Sequence, residues 1–186
     1  DSLVETLANA PIEAVYASTQ HRSQQTAAPL AAARGLPLMV REGIREVEAG
    51  AFEMRSDEAS IAAYQATFTS WASGSLHASN PGGETGHEAF ARFNNVITEA
   101  ASTGTRTVAL ISHGAMLRSW AGYHCRNLDA QYVDAHPLPN TGIIEVSGST
   151  HRGWTAESWI GKAINGPLLD GPADSRPAGE ARERGF

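Results

Sequence analysis

Val108-Ala109-Leu110-Ile111-Ser112-His113-Gly114 is the stretch that decides the fold class of this chain. Its first four residues are apolar, which is typical of a strand covered on both faces. Helical spacing begins after Gly114, so we expect the strand to turn sharply into a helix. Such turns lie at the carboxyl end of a sheet, where open α/β sheets bind their ligands. His113 is therefore a candidate functional residue, although an isolated histidine at this place more often only closes the loop.

The segments before this stretch alternate between helix and strand. Residues 1–10 and the run before Gly35 have helical spacing, whereas residues 12–17 and 36–40 are candidate strands. Pro37 favours an edge position for the second strand, because proline cannot donate a hydrogen bond to a neighbouring strand. This order predicts an α/β fold, with three α/β/α layers around a mostly parallel central sheet.

Later parts of the chain carry further local signals. They predict a helix over residues 57–72, a loop over 73–86, a helix opened by a Thr85–Glu88 capping box, and a hairpin over 143–160. A chain of 186 residues has the usual size of one domain, and we expect that domain to cover residues 1–165. Residues 166–186 are rich in proline, glycine and charge, and we expect them to form a disordered tail.

Charge and composition exclude several classes of function. The net charge of −6 argues against a nucleic-acid partner, which would need a basic patch. Lys162 is the only lysine, so the chain has no Gly-Lys-Ser/Thr phosphate loop. Arginine supplies nearly all of the positive charge, and it is the better residue for bidentate recognition of phosphate.

Cysteine use and hydropathy give an expectation for location. Cys125 is the only cysteine, which excludes a disulfide within the chain and fits a reducing compartment. We expect this thiol to be a small core residue rather than a nucleophile. No apolar stretch is long enough to span a membrane, and no secretory signal opens the sequence. We therefore expect a cytoplasmic protein without a membrane partner.

Four polar segments follow one another in an order that resembles the histidine phosphatase superfamily. They are residues 17–27, residues 43–46 with 50–53 behind them, residues 81–85 and residues 111–114. None of them is specific alone, but the four in this order are similar to the superfamily over most of residues 3–160. The resemblance implies a phosphoglycerate mutase-like fold.

The resemblance also implies roles for seven residues. Arg22 and His113 would hold the phosphoryl group, and Glu46 would protonate the leaving oxygen and then activate water. The implied substrate-binding residues are Ser18, Gly83, Glu84 and Asn140. Phosphoryl transfer needs positioning and positive charge, which agrees with this set. Arg22 and Glu46 could instead be surface charges, and Glu84 could only brace its own loop.

The superfamily's Arg-His-Gly motif does not occur in this sequence. Its histidine is the nucleophile that becomes phosphorylated, and its strand is central, beside the strand that carries Ser112 and His113. We therefore expect the nucleophile to lie upstream of Asp1, in a segment that precedes the given sequence. The rival interpretation is a non-catalytic member that binds phosphate compounds.

These observations favour a phosphomonoesterase that hydrolyses a small phosphorylated metabolite through a phosphohistidine. No metal or organic cofactor is implied, and the spacing of the histidines matches no metal site. The first alternative is a phosphoglycerate mutase, which shares these residues but returns the phosphoryl group to its substrate. A short segment between Gly50 and Gly83, without lysines, disfavours that alternative. The second alternative is a phosphate-ligand binding domain without turnover. The sequence predicts no oligomeric state.

Overall fold

Residues 2–164 are described by a computed structural model and form a mixed α/β fold. Within them the helices are α1 (Ser2–Thr6), α2 (His21–Arg34), α3 (Glu58–Ala72), α4 (Gly86–Ser102), α5 (Gly114–His124) and α6 (Ala130–Ala135). The strands are β1 (Ala14–Ala17), β2 (Leu38–Val40), β3 (Val108–Ile111), β4 (Ile144–Ser149), β5 (Gly153–Trp159) and β6 (Lys162–Ala163). The disordered tail expected over residues 166–186 lies outside the described residues. Of the described helices, none combines the length and the hydropathy needed to cross a membrane.

The chain packs into two compact units. Among the described residues, the first unit comprises those up to Glu46 together with Arg92–His113, and the second comprises Val47–Ala91 and those from Gly114 onward. The expectation of one domain over residues 1–165 stays a prediction.

The first unit contains the predicted parallel sheet, in the order β2-β1-β3. Val15 pairs with Leu38 on one side and with Ala109 on the other. The apolar face of α2 packs on this sheet, and the fully buried core members are Val15, Ala17, Ala27 and Leu30. At the end of α2, Gly35 takes the left-handed conformation (φ 63°), which glycine adopts without steric cost. Among the described residues β2 lies at an edge, which confirms the position that Pro37 predicted.

Strand β3 is less buried than its sequence predicts. All four of its residues are only half-buried, whereas three of the four residues in β1 are buried. Among the described residues β3 forms the other edge of this sheet, so it does not have a neighbouring strand on both sides. Because its four residues are only half-buried, the expectation of a strand covered on both faces is not met within residues 2–164.

The second unit contains α3, α5, α6 and an antiparallel sheet of β4, β5 and β6. Gly122 allows a close approach of helices, because a Cβ there would lie 2.6 Å from Val133 Cγ2 and 2.8 Å from Ala72 Cβ. Trp71 is fully buried and its indole N–H donates to the Ala78 carbonyl at 2.9 Å. The predicted helix over 57–72 and the hairpin over 143–160 are confirmed, while α6 and β6 were not predicted.

The capping box that opens α4 is confirmed in both directions. The Thr85 backbone N–H donates to Glu88 Oε2 at 2.8 Å, and the Glu88 backbone N–H donates to Thr85 Oγ1 at 3.3 Å. Each side chain thereby satisfies a free donor in the first turn.

Removal of the Thr85 hydroxyl should weaken this helix start. We expect Thr85→Ala to lower the free energy of unfolding by about 1 kcal/mol, because a helix N–H loses its acceptor. Thr85→Ser keeps the hydroxyl and should stay within a few tenths of a kcal/mol of the wild type, roughly the scatter of neutral surface changes. Urea unfolding of the three proteins is the measurement, and equal stability of all three would contradict a capping role.

Candidate active site

The candidate site in the first unit is built around the His113 imidazole, two residues after the end of β3. β1 pairs in parallel with β3, so the residues that follow both strands meet at one edge of the sheet. Ser18 Oγ lies 2.7 Å from His113 Nε2. Arg22, in the first turn of α2, places its Nε 3.3 Å and its Nη2 3.1 Å from His113 Nδ1. The structure thus brings three of the seven predicted residues into direct contact.

The contacts of Arg22 settle the tautomer of His113. A guanidinium can only donate, so Nδ1 must accept and the ring proton must lie on Nε2. The Nε2–H then donates to Ser18 Oγ, which also accepts from the Gln20 backbone N–H at 3.2 Å. The Ser18 hydroxyl hydrogen is left without an acceptor within residues 2–164, although the side chain is fully buried. A buried donor of this kind is suited to an oxygen ligand.

His113 is neutral near pH 7. Burial, together with the positive charges of Arg22 and Arg92, lowers the pKa of His113 from 6.5 to about 4. Only 6% of this residue is exposed. Arg22, by contrast, is exposed, and its remaining guanidinium N–H groups have no partner within residues 2–164. The positive charge of this group therefore resides on Arg22 rather than on His113.

Ser23 fixes the backbone beneath these side chains. Its hydroxyl donates to the Ile111 carbonyl at 2.6 Å and accepts from the Ser18 backbone N–H at 2.9 Å. The ends of β1 and β3 are thereby tied together by one buried side chain. The N-cap of α2 is Gln20, which makes no side-chain cap, and Ser18 contacts the imidazole.

Glu46 is the last residue of the polar segment 43–46, which also belongs to the first unit. The Ser112 hydroxyl donates to the Ile44 carbonyl at 2.8 Å, so the residue beside His113 holds this segment. The guanidinium of Arg92, in α4, donates to three more of its carbonyls. Glu46 itself is half-buried. Its role as general acid stays a prediction.

Gly83, Glu84 and Asn140 belong to the second unit. Glu84 is buried and its Oε1 accepts from the Glu48 backbone N–H at 3.1 Å. A Cβ on Gly83 would lie 2.8 Å from the Glu48 carbonyl oxygen, so this loop packs tightly on the segment around Glu48. Asn140 is exposed in the turn before β4. These contacts agree with the alternative interpretation, in which Glu84 braces its own loop. The substrate-binding roles of Gly83, Glu84 and Asn140 stay predictions.

Comparison with known families agrees with this geometry. The sequence profile of the Histidine phosphatase superfamily (branch 1) matches residues 1–161. The chain belongs to this superfamily. The match extends over most of the chain, including all seven residues that the resemblance singled out.

Several known proteins are similar to this histidine phosphatase superfamily member at low sequence identity. It is 28% identical over 169 residues to the PE-PGRS family protein PE_PGRS11 of Mycobacterium tuberculosis, covering 83% of this chain and 29% of that protein. It is 24% identical over 139 residues to a Hydrogenobacter thermophilus protein whose name refers to phosphoserine phosphatase activity, covering 73% of this chain and 66% of that protein. A mycobacterial glucosyl-3-phosphoglycerate phosphatase with inorganic phosphate has a similar fold, with a TM-score of 0.69 at 19% identity, covering 88% of this chain and 84% of that structure.

Two side chains of this superfamily member have structural roles, and for Cys125 the sequence predicted this. Cys125 is fully buried, and burial raises the pKa of its thiol to about 12, so it is not a thiolate near pH 7. Arg118 donates to the Val133 carbonyl at 2.6 Å and lies 5.3 Å from the centre of the Phe68 ring. Arg118 therefore links α5 to α6 and packs beside α3.

Sequence reasoning missed three residues that support the site of this superfamily member. Ser23, Arg92 and Ser112 all act on backbone groups, as described above. Every residue carries a backbone carbonyl, so nothing in the sequence marks which ones need a donor. Only the position of Ser112 beside His113 was a usable signal.

Proposed function

We propose that the protein is a phosphomonoesterase, which hydrolyses a small phosphorylated metabolite through a phosphohistidine. The observation that carries the proposal is the Arg22–His113–Ser18 group. An exposed guanidinium is held against a buried imidazole, beside a hydroxyl hydrogen with no acceptor within residues 2–164. This offers charge and several donors at one place, which phosphoryl transfer requires.

The three side chains would share the oxygens of the phosphoryl group. Arg22 would supply the planar fork of N–H donors, and Ser18 would donate its hydroxyl hydrogen. When Arg22 turns from His113 Nδ1 to the phosphoryl group, that nitrogen can take up a proton, because a dianion beside it favours the charged ring. His113 would then donate as well. Glu46 would protonate the leaving oxygen and later activate water, and Gly83, Glu84 and Asn140 would orient the substrate.

The nucleophilic histidine is proposed to lie upstream of Asp1. The open edge of β3 among residues 2–164 supports this, because one more parallel strand can pair there. A histidine at the carboxyl end of such a strand would stand beside His113. We propose neither a metal nor an organic cofactor for the reaction, and a cytoplasmic location remains part of the proposal.

The relatives favour hydrolysis over isomerisation. A structural neighbour is a glucosyl-3-phosphoglycerate phosphatase, and the name of one relative refers to phosphoserine phosphatase activity. Both names describe the removal of a phosphoryl group from a small metabolite. They support a phosphatase of this general class, and we do not extend either substrate to this chain.

The test is an assay of the full-length protein with p-nitrophenyl phosphate and a metal chelator. We expect phosphate release, together with an acid-labile phosphoenzyme typical of phosphohistidine. A second assay would add 3-phosphoglycerate with 2,3-bisphosphoglycerate and look for 2-phosphoglycerate. Isomer exchange faster than hydrolysis would replace the proposal by a mutase. Phosphate binding without turnover of any monoester would replace it by a binding domain.

A further inference from the structure

The segment that ends at Glu46 is held by an unusual number of side-chain donors. Arg92 Nη1 donates to the Gly43 carbonyl at 2.8 Å and to the Arg45 carbonyl at 2.9 Å, and its Nη2 donates to the Glu46 carbonyl at 3.1 Å. With the bond from Ser112 to Ile44, four consecutive carbonyl oxygens accept from side chains. A short irregular segment is thereby fixed without a strand or a long helix.

Backbone packing also holds this segment in place. A Cβ on Gly43 would lie 2.5 Å from the Arg92 carbonyl oxygen and 2.8 Å from Val96 Cγ2, so the segment lies directly against α4. Ile44 is fully buried. The segment is thus anchored at both its start and its middle, and the Arg92 guanidinium holds its end, at Glu46.

The chemistry of arginine explains why one side chain can do this. Its guanidinium presents five N–H donors in a rigid plane, so two nitrogens can serve three carbonyls in fixed directions. A lysine ammonium has three donors on one atom and cannot span the same groups. Because the bonds go to the backbone of residue 46, they determine where its side chain begins, and a catalytic group misplaced by about 1 Å can lose roughly 10²-fold in rate.

We propose that Arg92 is a positioning residue, which holds Glu46 at the place from which it protonates the leaving oxygen. This inference rests on the proposed phosphatase function. In that step the bond between phosphorus and the leaving oxygen breaks and its electron pair goes to the oxygen. The oxygen takes the proton of Glu46, while the phosphoryl group passes to the nucleophilic histidine.

The test compares two substrates that need the proton to different extents. Glycerol phosphate has a poor leaving group and depends on the general acid, whereas 2,4-dinitrophenolate leaves without protonation. We expect Arg92→Gln to lower kcat/KM for glycerol phosphate by roughly 10- to 100-fold, and for 2,4-dinitrophenyl phosphate by less than about 3-fold. Glu46→Gln should likewise lose much more kcat/KM for glycerol phosphate than for 2,4-dinitrophenyl phosphate. The double variant, with both Arg92→Gln and Glu46→Gln, should lose little more than Glu46→Gln alone.

The ratio of the two rates is measured on one sample, so a lower folded fraction of a variant cancels. Arg92→Lys keeps the charge but not the fork, so it should show most of the same selective loss on glycerol phosphate. Arg106→Gln, the same change at an exposed arginine of the first unit, should leave both rates unchanged. Equal losses on both substrates in Arg92→Gln would overturn the positioning role while leaving the phosphatase function intact. If the wild type hydrolyses neither substrate, the proposed function itself fails, and this role with it.

Discussion

Arg22→Ala is expected to lower kcat/KM for phosphomonoesters by roughly 10²- to 10³-fold, the usual loss when one donor to a developing anion is removed. Arg22 carries the positive charge of the site, because its partner His113 is neutral near pH 7. Its two contacting nitrogens lie 3.3 and 3.1 Å from His113 Nδ1, and they would turn from that nitrogen to the phosphoryl group when substrate binds. Arg22→Lys should recover only a small part of the loss, since an ammonium lacks the planar fork.

The control for this change lies next to it in α2. His21 is exposed, and His21→Ala should keep the wild-type rate and the wild-type stability. Arg22→Ala should also raise the pKa of His113, because a positive neighbour is removed from the imidazole. Steady-state kinetics and an NMR titration of His113 measure the two effects. A variant that keeps both the rate and the low pKa would show that Arg22 is a surface charge.

The second large effect concerns stability in mildly acidic solution. The pKa of His113 is 6.5 in an unfolded chain and about 4 in the folded protein, mainly because of burial. As the pH falls below 6.5, the unfolded chain binds a proton that the folded protein does not bind. The free energy of unfolding therefore falls by roughly 3 kcal/mol from pH 7 to pH 4 through this residue alone, at about 1.4 kcal/mol per pKa unit.

His113→Gln should remove this pH dependence between pH 6.5 and 4.5. Denaturant unfolding at several pH values across that range gives the slope of the free energy of unfolding against pH. The comparison of slopes does not depend on how stable the variant is at pH 7. His87 also contributes to the slope in this range, because burial and the nearby His77 lower its pKa in the same direction, so it is kept unchanged in both proteins. The carboxylate of Asp57, with a pKa lowered from 3.8 to about 2, contributes mainly at lower pH. An unchanged slope in His113→Gln would show that His113 is not buried as a neutral ring.

Much of the fold could be read from local patterns, and the parts that could not are informative. A short apolar run predicted β1, and the helical spacing of apolar residues predicted α2, α3 and α4. α6 has six residues with one buried side chain, Val133, and β6 has two exposed residues, so neither carries a periodic pattern. Both depend on neighbours that lie elsewhere in the chain. The burial of β3 was overestimated because an apolar run indicates only that a strand can be buried. It does not indicate whether a neighbouring strand pairs with each of its edges.

The sequence predicted some features of the candidate site and not others. The order of the polar segments was enough to select Arg22 and His113, since both follow strands that end at the same edge of the sheet. The tautomer of His113 could not be predicted, because it depends on which ring nitrogen faces the guanidinium. Arg92 could not be selected either, since its partners are backbone carbonyls. The roles of Glu46, Gly83, Glu84 and Asn140 await the experiments above.

The pairing of β1 with β3 has a consequence for folding. Ser18 and His113 are separated by 95 positions in the chain, and the hydrogen bonds between their strands close the same long loop. Contacts of this separation form slowly, because the loop must close before any bond rewards it. On the ribosome, synthesis of the intervening residues takes roughly 5–20 s at about 5–20 residues per second. During that time one side of β1 has no partner strand, so the nascent chain exposes an aggregation-prone edge until β3 emerges.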